Sequence, residues 1–219
     1  MILSLAMPTQ AVFSSSAPVE SSSFYSHSTN LYDKSNHGFS LISKKYPLEL
    51  RNLRPEDAPA LLEHYSDERN IKHDKSVENL KTLPAIQNWI QKLSTFTDPL
   101  TQVSAVILEG GVFIGSGGIG LIGTRVDGTR IRNAGIMLNS SARGKGYAYE
   151  ALRITFDYGF RELGLDVMEI ATRDENLAMR GLMDGKFGFE GEAIKDLKFE
   201  NDWEWMISRK QWLECVHSK

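Results

Sequence analysis

The sequence predicts one mixed α/β (α+β-like) domain, with a central, mostly antiparallel sheet of about seven strands and about four flanking helices. Three observations lead to this prediction. Segments rich in β-branched residues are separated by the turn sequences EGG and VDGT, which indicates hairpins. Two helical patterns precede these segments, and a strongly amphipathic one follows them. The length of 219 residues suits one domain with an appended tail.

The first predicted elements begin near Tyr46. The stretch YPLELRNL alternates apolar and charged side chains, which predicts a strand. RPEDAPALLEHYSDE then places Pro55, Glu56 and Asp57 at a helix start, where proline and acidic residues are favoured. LPAIQNWIQKLSTF repeats apolar residues at helical spacing, which predicts a second helix.

The second half of the chain supplies most of the predicted sheet. TQVSAVIL, GGVFIGSGGIGLIG and TRIRNAGIML are predicted to form three antiparallel strands. GYAYEALRITFDYGFRELG has one apolar face and ends at Gly164, which predicts a long helix with a glycine stop. DVMEIATR is a further strand and NLAMRGLMDGKF a short helix, and GFEGEAI and DWEWMISRKQW close the chain as strands.

The N-terminal segment has a different composition. The first 40 residues contain 11 serines and no arginine, so we expect too little clustered apolar surface to offset the entropy of ordering. Residues 1–44 are therefore predicted to be a mobile tail, and residues 45–219 the folded domain. A dispensable extension is the favoured interpretation, and a phosphorylated or partner-binding arm is the alternative.

Composition and charge narrow the classes of partner. The net charge of −3 and the pI of about 6.0 argue against a nucleic-acid partner. No apolar run is long enough to cross a bilayer, so we expect no membrane partner. The single cysteine, Cys215, excludes an internal disulfide and favours the cytoplasm. His64 and His73 lack metal-ligand spacing and are predicted to be ordinary surface residues, so no metal is expected.

Two glycine-rich stretches compete for a phosphate-binding role. IGSGGIG satisfies the spacing of a dinucleotide fingerprint, but a strand and a turn follow it, whereas that fingerprint must open a helix. SSARGKGYAYE follows a strand and leads into the amphipathic helix. Its glycines permit positive φ, and the helix N-terminus adds about half a unit of positive charge. A solvated basic turn is the alternative interpretation of this second stretch.

A family resemblance favours the second stretch. Arg143 to Ala148, RGKGYA, resembles the R/Q-x-x-G-x-G/A motif of the GNAT superfamily of acyl-CoA-dependent N-acyltransferases. LELRNLRPEDAPALLEHYSDERN is similar to the first strand and helix of the branch that includes the Rim-type ribosomal-protein N-terminal acetyltransferases. IATRDENLAMRGLMDGKFGFEGE resembles the later strand, asparagine and GF turn of that branch, and WEWMISRKQW its closing strand. The resemblance extends from Tyr46 to about Trp212.

The resemblance implies acetyl-CoA as the co-substrate and assigns its site. In this family the motif amides hold the CoA pyrophosphate, and the matching residues are Arg143, Gly144, Lys145, Gly146, Tyr147 and Ala148. The preceding strand pairs with pantetheine through Ile136, Met137 and Leu138. The family separates this strand from the next and carries a bulge there, so the Leu138 amide is expected to stabilise an oxyanion. Asn176 matches an asparagine that contacts the pantetheine or positions the thiolate side.

The expected catalytic groups depart from the family pattern. The acidic residue two positions before the strand glycine is replaced by Asn133, which can hold a relay water but cannot act as a base. Glu169 is a carboxylate that can substitute for it, although strand alternation equally allows a solvent-facing position. The tyrosine that many members use as general acid falls at Met183, and the small polar residue usual before it falls at Met179. The segment 176–188 is one residue longer than usual.

The resulting functional prediction is an N-acetyltransferase that acts by direct attack of a primary amine, through a tetrahedral intermediate. The acceptor is a small-molecule amine or a protein N-terminus, and the chain is a monomer or homodimer. Because the usual acid and tyrosine are replaced, a non-catalytic CoA-binding module with a degenerate acceptor site is the alternative. Trp203 and Trp205 share one strand face, as core residues or as the wall of an aromatic acceptor pocket. An oxidoreductase that uses GSGGIG lacks the helix it needs.

Overall fold

The computed structural model describes residues 22–29, 39–93, 102–120 and 122–217. Within them the chain forms ten strands. These are β1 Tyr25–Thr29, β2 Phe39–Ser43, β3 Leu48–Asn52, β4 Val103–Glu109, β5 Val112–Ile119, β6 Gly123–Thr124, β7 Arg130–Leu138, β8 Val167–Thr172, β9 Glu192–Ala193 and β10 Trp203–Ser208. The same residues form six α-helices. These are α1 Ala58–Ser66, α2 Glu68–Ile71, α3 Leu83–Leu93, α4 Tyr147–Arg161, α5 Leu177–Arg180 and α6 Arg209–His217.

All ten of these strands belong to one sheet. Its order is β1-β2-β3-β4-β5-β7-β8-β10-β9, with β6 paired to β7. The pair β7–β8 is parallel, and the other strand pairs among the described residues are antiparallel. The predicted mixed α/β fold with a mostly antiparallel sheet is confirmed, with more strands than predicted.

Helices pack on both faces of the sheet, and on the α1 and α3 face the buried cluster does not extend to β8 and β10. One buried cluster lies on the α4 face and includes Ile107, Leu152, Phe156 and Trp205. The other lies on the α1 and α3 face and includes Leu61, Ile86, Ile90 and Val106. Neighbouring residues of β4 therefore contribute to opposite clusters, as the period of a strand requires.

The N-terminal segment contains structure that its composition did not predict. The strands β1 and β2 pair with each other and extend the sheet beyond β3, so the order begins well before Tyr46. Tyr25 and Leu41 are buried in the core on the α4 face. These widely spaced apolar residues attach the two strands to the core, although the serine-rich composition of the segment does not predict it. Residues 1–21 and 30–38 of the predicted tail lie outside the described residues.

The C-terminus also differs from the prediction. DWEWMISRKQW was predicted to be one strand, but β10 ends at Ser208 and all of RKQW lies in α6. Ser208 and Gln211 form a reciprocal cap: the Ser208 N–H donates to Gln211 Oε1 (2.9 Å), and the Gln211 N–H donates to Ser208 Oγ (3.2 Å). Trp212 is buried against Phe156 and Phe160. Among the described residues, no helix has the length and apolar character needed to cross a membrane.

Candidate active site

The glycine-rich loop between β7 and α4 has the backbone of an anion cradle. Gly144 (φ +79°) and Gly146 (φ +86°) both lie in the left-handed region, and Gly146 is the residue that caps α4. A Cβ added at Gly144 would meet no atom within 4 Å, so this side of the loop is open. Tyr147 begins a 15-residue helix, whose dipole adds positive potential at the loop.

The two basic side chains of this loop are already engaged with protein groups. Arg143 donates from Nε and Nη2 to the Leu138 carbonyl (3.1 and 3.0 Å) and from Nη2 to the Arg69 carbonyl (2.8 Å). Lys145 Nζ lies 3.5 Å from Glu109 Oε2, and the Tyr147 hydroxyl donates a hydrogen bond to Oε1 of the same carboxylate. Arg143 therefore fixes the path of the chain between strand and loop, and the main-chain amides and the helix dipole are the groups of this loop that suit an anion.

The strands β7 and β8 separate halfway along their length. Their pairing covers Ile131–Val167 to Asn133–Glu169 and stops there. By contrast, β7 remains paired with β5 from Ala134–Ile119 to Leu138–Gly115, with no register shift. The bulge expected in β7 is therefore absent from this pairing, and the shift lies instead between β4 and β5, at Ile107 and Leu108.

The separation leaves one edge of β7 open. The Asn139 N–H donates to the Ile114 carbonyl, and the Asn133 carbonyl accepts from the Gly120 N–H, so both point to the β5 side. Because main-chain direction alternates along a strand, the opposite edge carries the groups of Ala134, Ile136 and Leu138. The main-chain groups of Met137, predicted with Ile136 and Leu138 as a pantetheine contact, point to β5. The open edge leads from Asn133 to the glycine loop.

The two predicted catalytic residues meet where the strands separate. Asn133 Nδ2 donates to Glu169 Oε1 at 2.8 Å. Their neighbours Ala134, Met168 and Ile170 belong to the core on the α4 face, so both side chains lie on the opposite, open face. Asn133 is exposed to solvent and Glu169 is half-buried. An amide that orients a carboxylate in this way leaves the carboxylate able to accept a proton from an amine or a bound water.

A second carboxylate on this open face was not predicted. Glu204 of β10 is opposite Ala171 of β8. Ala171 lies two residues after Glu169, so Glu204 and Glu169 are on the same face of the sheet. Burial, followed by repulsion from Glu169 and Glu192, raises the pKa of the Glu204 carboxyl. The alternation in DWEWMIS contained the signal: Trp205 is buried in the core and Trp203 packs against it, which directs Glu204 to the other face. Trp205 is thus a core residue.

Asn176 is positioned as the cap of α5. Its Oδ1 accepts from the Met179 N–H (3.2 Å), and its Nδ2 donates to Thr172 Oγ1 (2.9 Å) at the end of β8. The helix continues as a π-helical stretch, Gly181–Phe187, which accommodates the extra residue noted in the sequence. Met183, at the position of the family's tyrosine, is fully buried in the core.

His64 is not the surface residue that was predicted. It is 1% exposed, and its Nδ1 lies 2.5 Å from Asn139 Oδ1, at the end of β7. Burial, assisted by repulsion from Arg143, lowers the pKa of His64. Asn70 Nδ2 also donates to Asn139 Oδ1 (3.2 Å), and Asn70 Oδ1 accepts from Arg143 (3.1 Å). This cluster ties α1 and α2 to the strand end. The described residues contain no group of side chains arranged to hold a metal ion.

The family comparison agrees with this geometry. A family model described as "Acetyltransferase (GNAT) domain" matches residues 47–190. The chain belongs to the GNAT acetyltransferase family. The predicted family is therefore confirmed, and with it the prediction of an N-acetyltransferase that uses acetyl-CoA as co-substrate. The matched region contains the open edge, the glycine loop, Asn133 and Glu169.

Two curated bacterial proteins share sequence with this chain. The uncharacterized N-acetyltransferase p20 of Bacillus licheniformis is 28% identical over 149 residues, which is 67% of this chain and 81% of that protein. The probable N-acetyltransferase YjcK of Bacillus subtilis (strain 168) is 39% identical over 71 residues, which is 32% of this chain and 39% of that protein. The second match thus spans less than half of its relative's length.

Solved structures of the same fold include two acetyltransferases with different acceptors. RimL, a ribosomal L7/L12 alpha-N-protein acetyltransferase in complex with CoA, has a TM-score of 0.66 at 15% identity, over 76% of this chain and 97% of that one. The spermidine N-acetyltransferase of Vibrio cholerae, in complex with CoA and spermine, has a TM-score of 0.63 at 18% identity, over 76% and 98%. At these identities the likeness concerns the fold.

Proposed function

We propose that this chain transfers the acetyl group of acetyl-CoA to a cationic primary amine, at the point where β7 and β8 separate. One observation carries the proposal: the Asn133–Glu169 pair lies where the strand pairing ends, and the open edge of β7 leads from it to the glycine loop. A thioester bound along this edge supplies the acetyl group, with its sulfur end near the pair and its diphosphate at the loop.

We also propose the cytoplasm as the location, because a single cysteine suits a reducing compartment.

The residues present fit the donor. A diphosphate needs converging N–H donors, and Gly144 and Gly146 hold the backbone in the conformation that supplies them. We assign this cradle to Arg143–Ala148. A pantetheine arm needs main-chain partners on a strand edge. Ile136 and the N–H of Leu138 face the open side of β7, whereas Arg143 occupies the Leu138 carbonyl. The Leu138 N–H, which was predicted to stabilise an oxyanion, lies at the loop end of this edge, five residues from Asn133, so we assign it to the pantetheine arm. Asn176 shapes the far side of the opening through its cap on α5.

The proton of the amine is the chemical obstacle at neutral pH. An alkyl amine with a pKa of about 10.4 is mostly protonated, so a base must remove a proton before attack. We assign this role to Glu169, directly or through a water held by the Asn133 amide. Met183 and Met179 have no proton to donate, so neither replaces the tyrosine of other family members.

The carboxylates on the open face indicate the charge of the acceptor. Glu169, Glu204 and Glu192 belong to neighbouring positions of β8, β10 and β9. Burial raises the pKa of Glu204, and repulsion from Glu169 and Glu192 raises it further. A cation among these carboxylates would relieve the repulsion. A cationic amine therefore suits this face, as a small polyamine or as a protein N-terminus with basic residues.

The test is an acetyl-transfer assay. The protein is incubated with acetyl-CoA and, separately, spermidine, spermine, a simple alkyl monoamine and an N-terminal peptide, and CoA release and the acetylated product are measured. We expect Asn133→Ala to lower kcat more than it changes KM for acetyl-CoA, and Glu63→Gln, at an exposed position on α1, to leave both unchanged. Tight acetyl-CoA binding with no acetylated product from any amine would favour the alternative, a non-catalytic CoA-binding module.

A further inference from the structure

The N-terminal hairpin lies outside the part of the chain that the family model matches. The family model begins at residue 47, and β1 and β2 precede it. Both strands are antiparallel and extend the sheet past β3, with Tyr25 opposite Ser43 and Leu41 opposite Leu50. The family match therefore gives no role for this hairpin.

One end of the hairpin is fastened to the C-terminal half of α4. The Tyr25 hydroxyl donates to Glu162 Oε1 (2.7 Å), and His27 Nδ1 lies 2.6 Å from Glu162 Oε2. Phe24 packs edge-on against Trp212, with ring centroids 6.2 Å apart. Glu162 caps the end of α4 opposite Gly146, and Trp212 belongs to α6, so these contacts anchor β1 without touching the glycine loop.

Ser43, which is opposite Tyr25 in the strand pairing, contacts the first turn of α4 instead of its C-terminal end. Ser43 Oγ donates to Glu150 Oε1 at 2.5 Å, and it accepts from the N–H groups of Lys45 (3.1 Å) and Tyr46 (3.0 Å). Glu150 is fully buried, and Arg153 contacts its other oxygen at 2.5 Å. A buried carboxylate needs such partners, so the start of α4 is tied to the corner that links β2 to β3.

The same corner places Tyr46 against the glycine loop. The rings of Tyr46 and Tyr147 meet edge to face, with centroids 5.7 Å apart. A Cβ added at Gly146 would lie 3.0 Å from the Tyr46 hydroxyl oxygen. Tyr46 therefore limits the space in which Gly146, at φ +86°, can move. Because glycine loses more conformational freedom on ordering than any other residue, a neighbour that restricts it reduces the entropy lost when a ligand binds.

We propose that the corner Ser43–Tyr46 is a positioning element that holds the glycine loop ready for acyl-CoA, with Tyr46 as its main positioning residue. This inference rests on the proposed function, because it takes the loop as the CoA pyrophosphate site. In the Tyr46→Ala variant the loop has to be ordered by the ligand itself. The expected change is a roughly tenfold higher Kd for CoA and a similarly higher KM for acetyl-CoA, with kcat and the KM for the amine unchanged.

The experiment is a calorimetric titration of CoA into the full chain and its variants. Tyr46→Ala and Ser43→Ala are expected to bind more weakly, and Tyr46→Phe, which keeps the ring against Tyr147, is expected to bind within about twofold of wild type. Tyr25→Phe is the matched control, because it removes a hydroxyl contact from the same hairpin at the distant end of α4. Ser43→Ala keeps the test available if Tyr46→Ala does not fold.

The outcomes separate the two claims. Wild-type protein that does not bind CoA would overturn the proposed function itself. Wild-type binding with unchanged affinity in Tyr46→Ala and Ser43→Ala would overturn the positioning role alone. Equal losses in Tyr46→Phe and Tyr46→Ala would overturn the positioning role of the ring, because they would assign the whole effect to the hydroxyl. An equal loss in Tyr25→Phe would indicate a general stability effect and would also overturn it.

Discussion

Replacing Gly146 with alanine perturbs the glycine loop with the smallest possible side chain. Gly146 has φ +86°, a conformation that costs an L-residue about 1–2 kcal/mol. The new Cβ would also lie 3.0 Å from the Tyr46 hydroxyl oxygen, which must move by a few tenths of an ångström. Since the loop lies at the surface, we expect it to relax in the free variant and to regain the strained conformation only with ligand bound.

That strain then appears as lost affinity. A cost of about 1–2 kcal/mol corresponds to a roughly 5- to 30-fold higher Kd for CoA, which calorimetry measures directly. Gly128→Ala is the matched control, because Gly128 has φ +87° with no atom within 4 Å of an added Cβ and lies in the turn before β7. It is expected to lower stability and leave the Kd unchanged. A wild-type Kd in Gly146→Ala would refute the reasoning.

Three further predictions concern catalysis, pH and stability. Glu169→Gln is expected to lower kcat about 100-fold or more at neutral pH, as loss of a general base does, and a kcat within threefold of wild type would exclude that role. Burial lowers the pKa of His64 below its ordinary 6.5. As the pH drops below about 6.5, His64 is therefore protonated in the unfolded chain but still neutral in the folded one, and the free energy of unfolding falls. Urea unfolding of His64→Gln should show a flatter pH profile there, and parallel profiles would contradict this. Arg51 donates two hydrogen bonds to the buried Asp57 (2.7 and 2.8 Å), so Arg51→Met should lower the free energy of unfolding by about 3 kcal/mol. A loss below about 1 kcal/mol in urea unfolding would mean that the pair contributes little.

Local patterns made the glycine loop and α4 predictable. The helix from Tyr147 has a clear apolar face, and the glycines before it have positive φ, so the sequence alone located the loop and the helix. The assignment of the loop as a pyrophosphate cradle came from the family resemblance and stays a prediction. The pair Asn133–Glu169 was harder, because its two residues come together only through the parallel alignment of β7 and β8. Sequence alternation supplied their faces but not their register.

Non-local packing explains what the sequence did not predict. The hairpin β1–β2 is stable because Tyr25 and Leu41 join a core formed mainly by residues more than a hundred positions later. No composition window detects such contacts. The buried position of His64 likewise depends on Asn139. The cap Ser208–Gln211 at α6 is different, since the S-x-x-Q spacing in the sequence is itself typical of a helix start.

Thermal unfolding with and without acetyl-CoA, with NAD as the control ligand, tests the central claim most directly. A ligand at about 100 times its Kd stabilises the folded state by roughly 2.7 kcal/mol. For a domain of this size, the expected rise in Tm is about 5–10 °C with acetyl-CoA and none with NAD. A folded protein whose Tm does not change with acetyl-CoA would contradict the claim that the loop Arg143–Ala148 and the open edge of β7 form an acyl-CoA site.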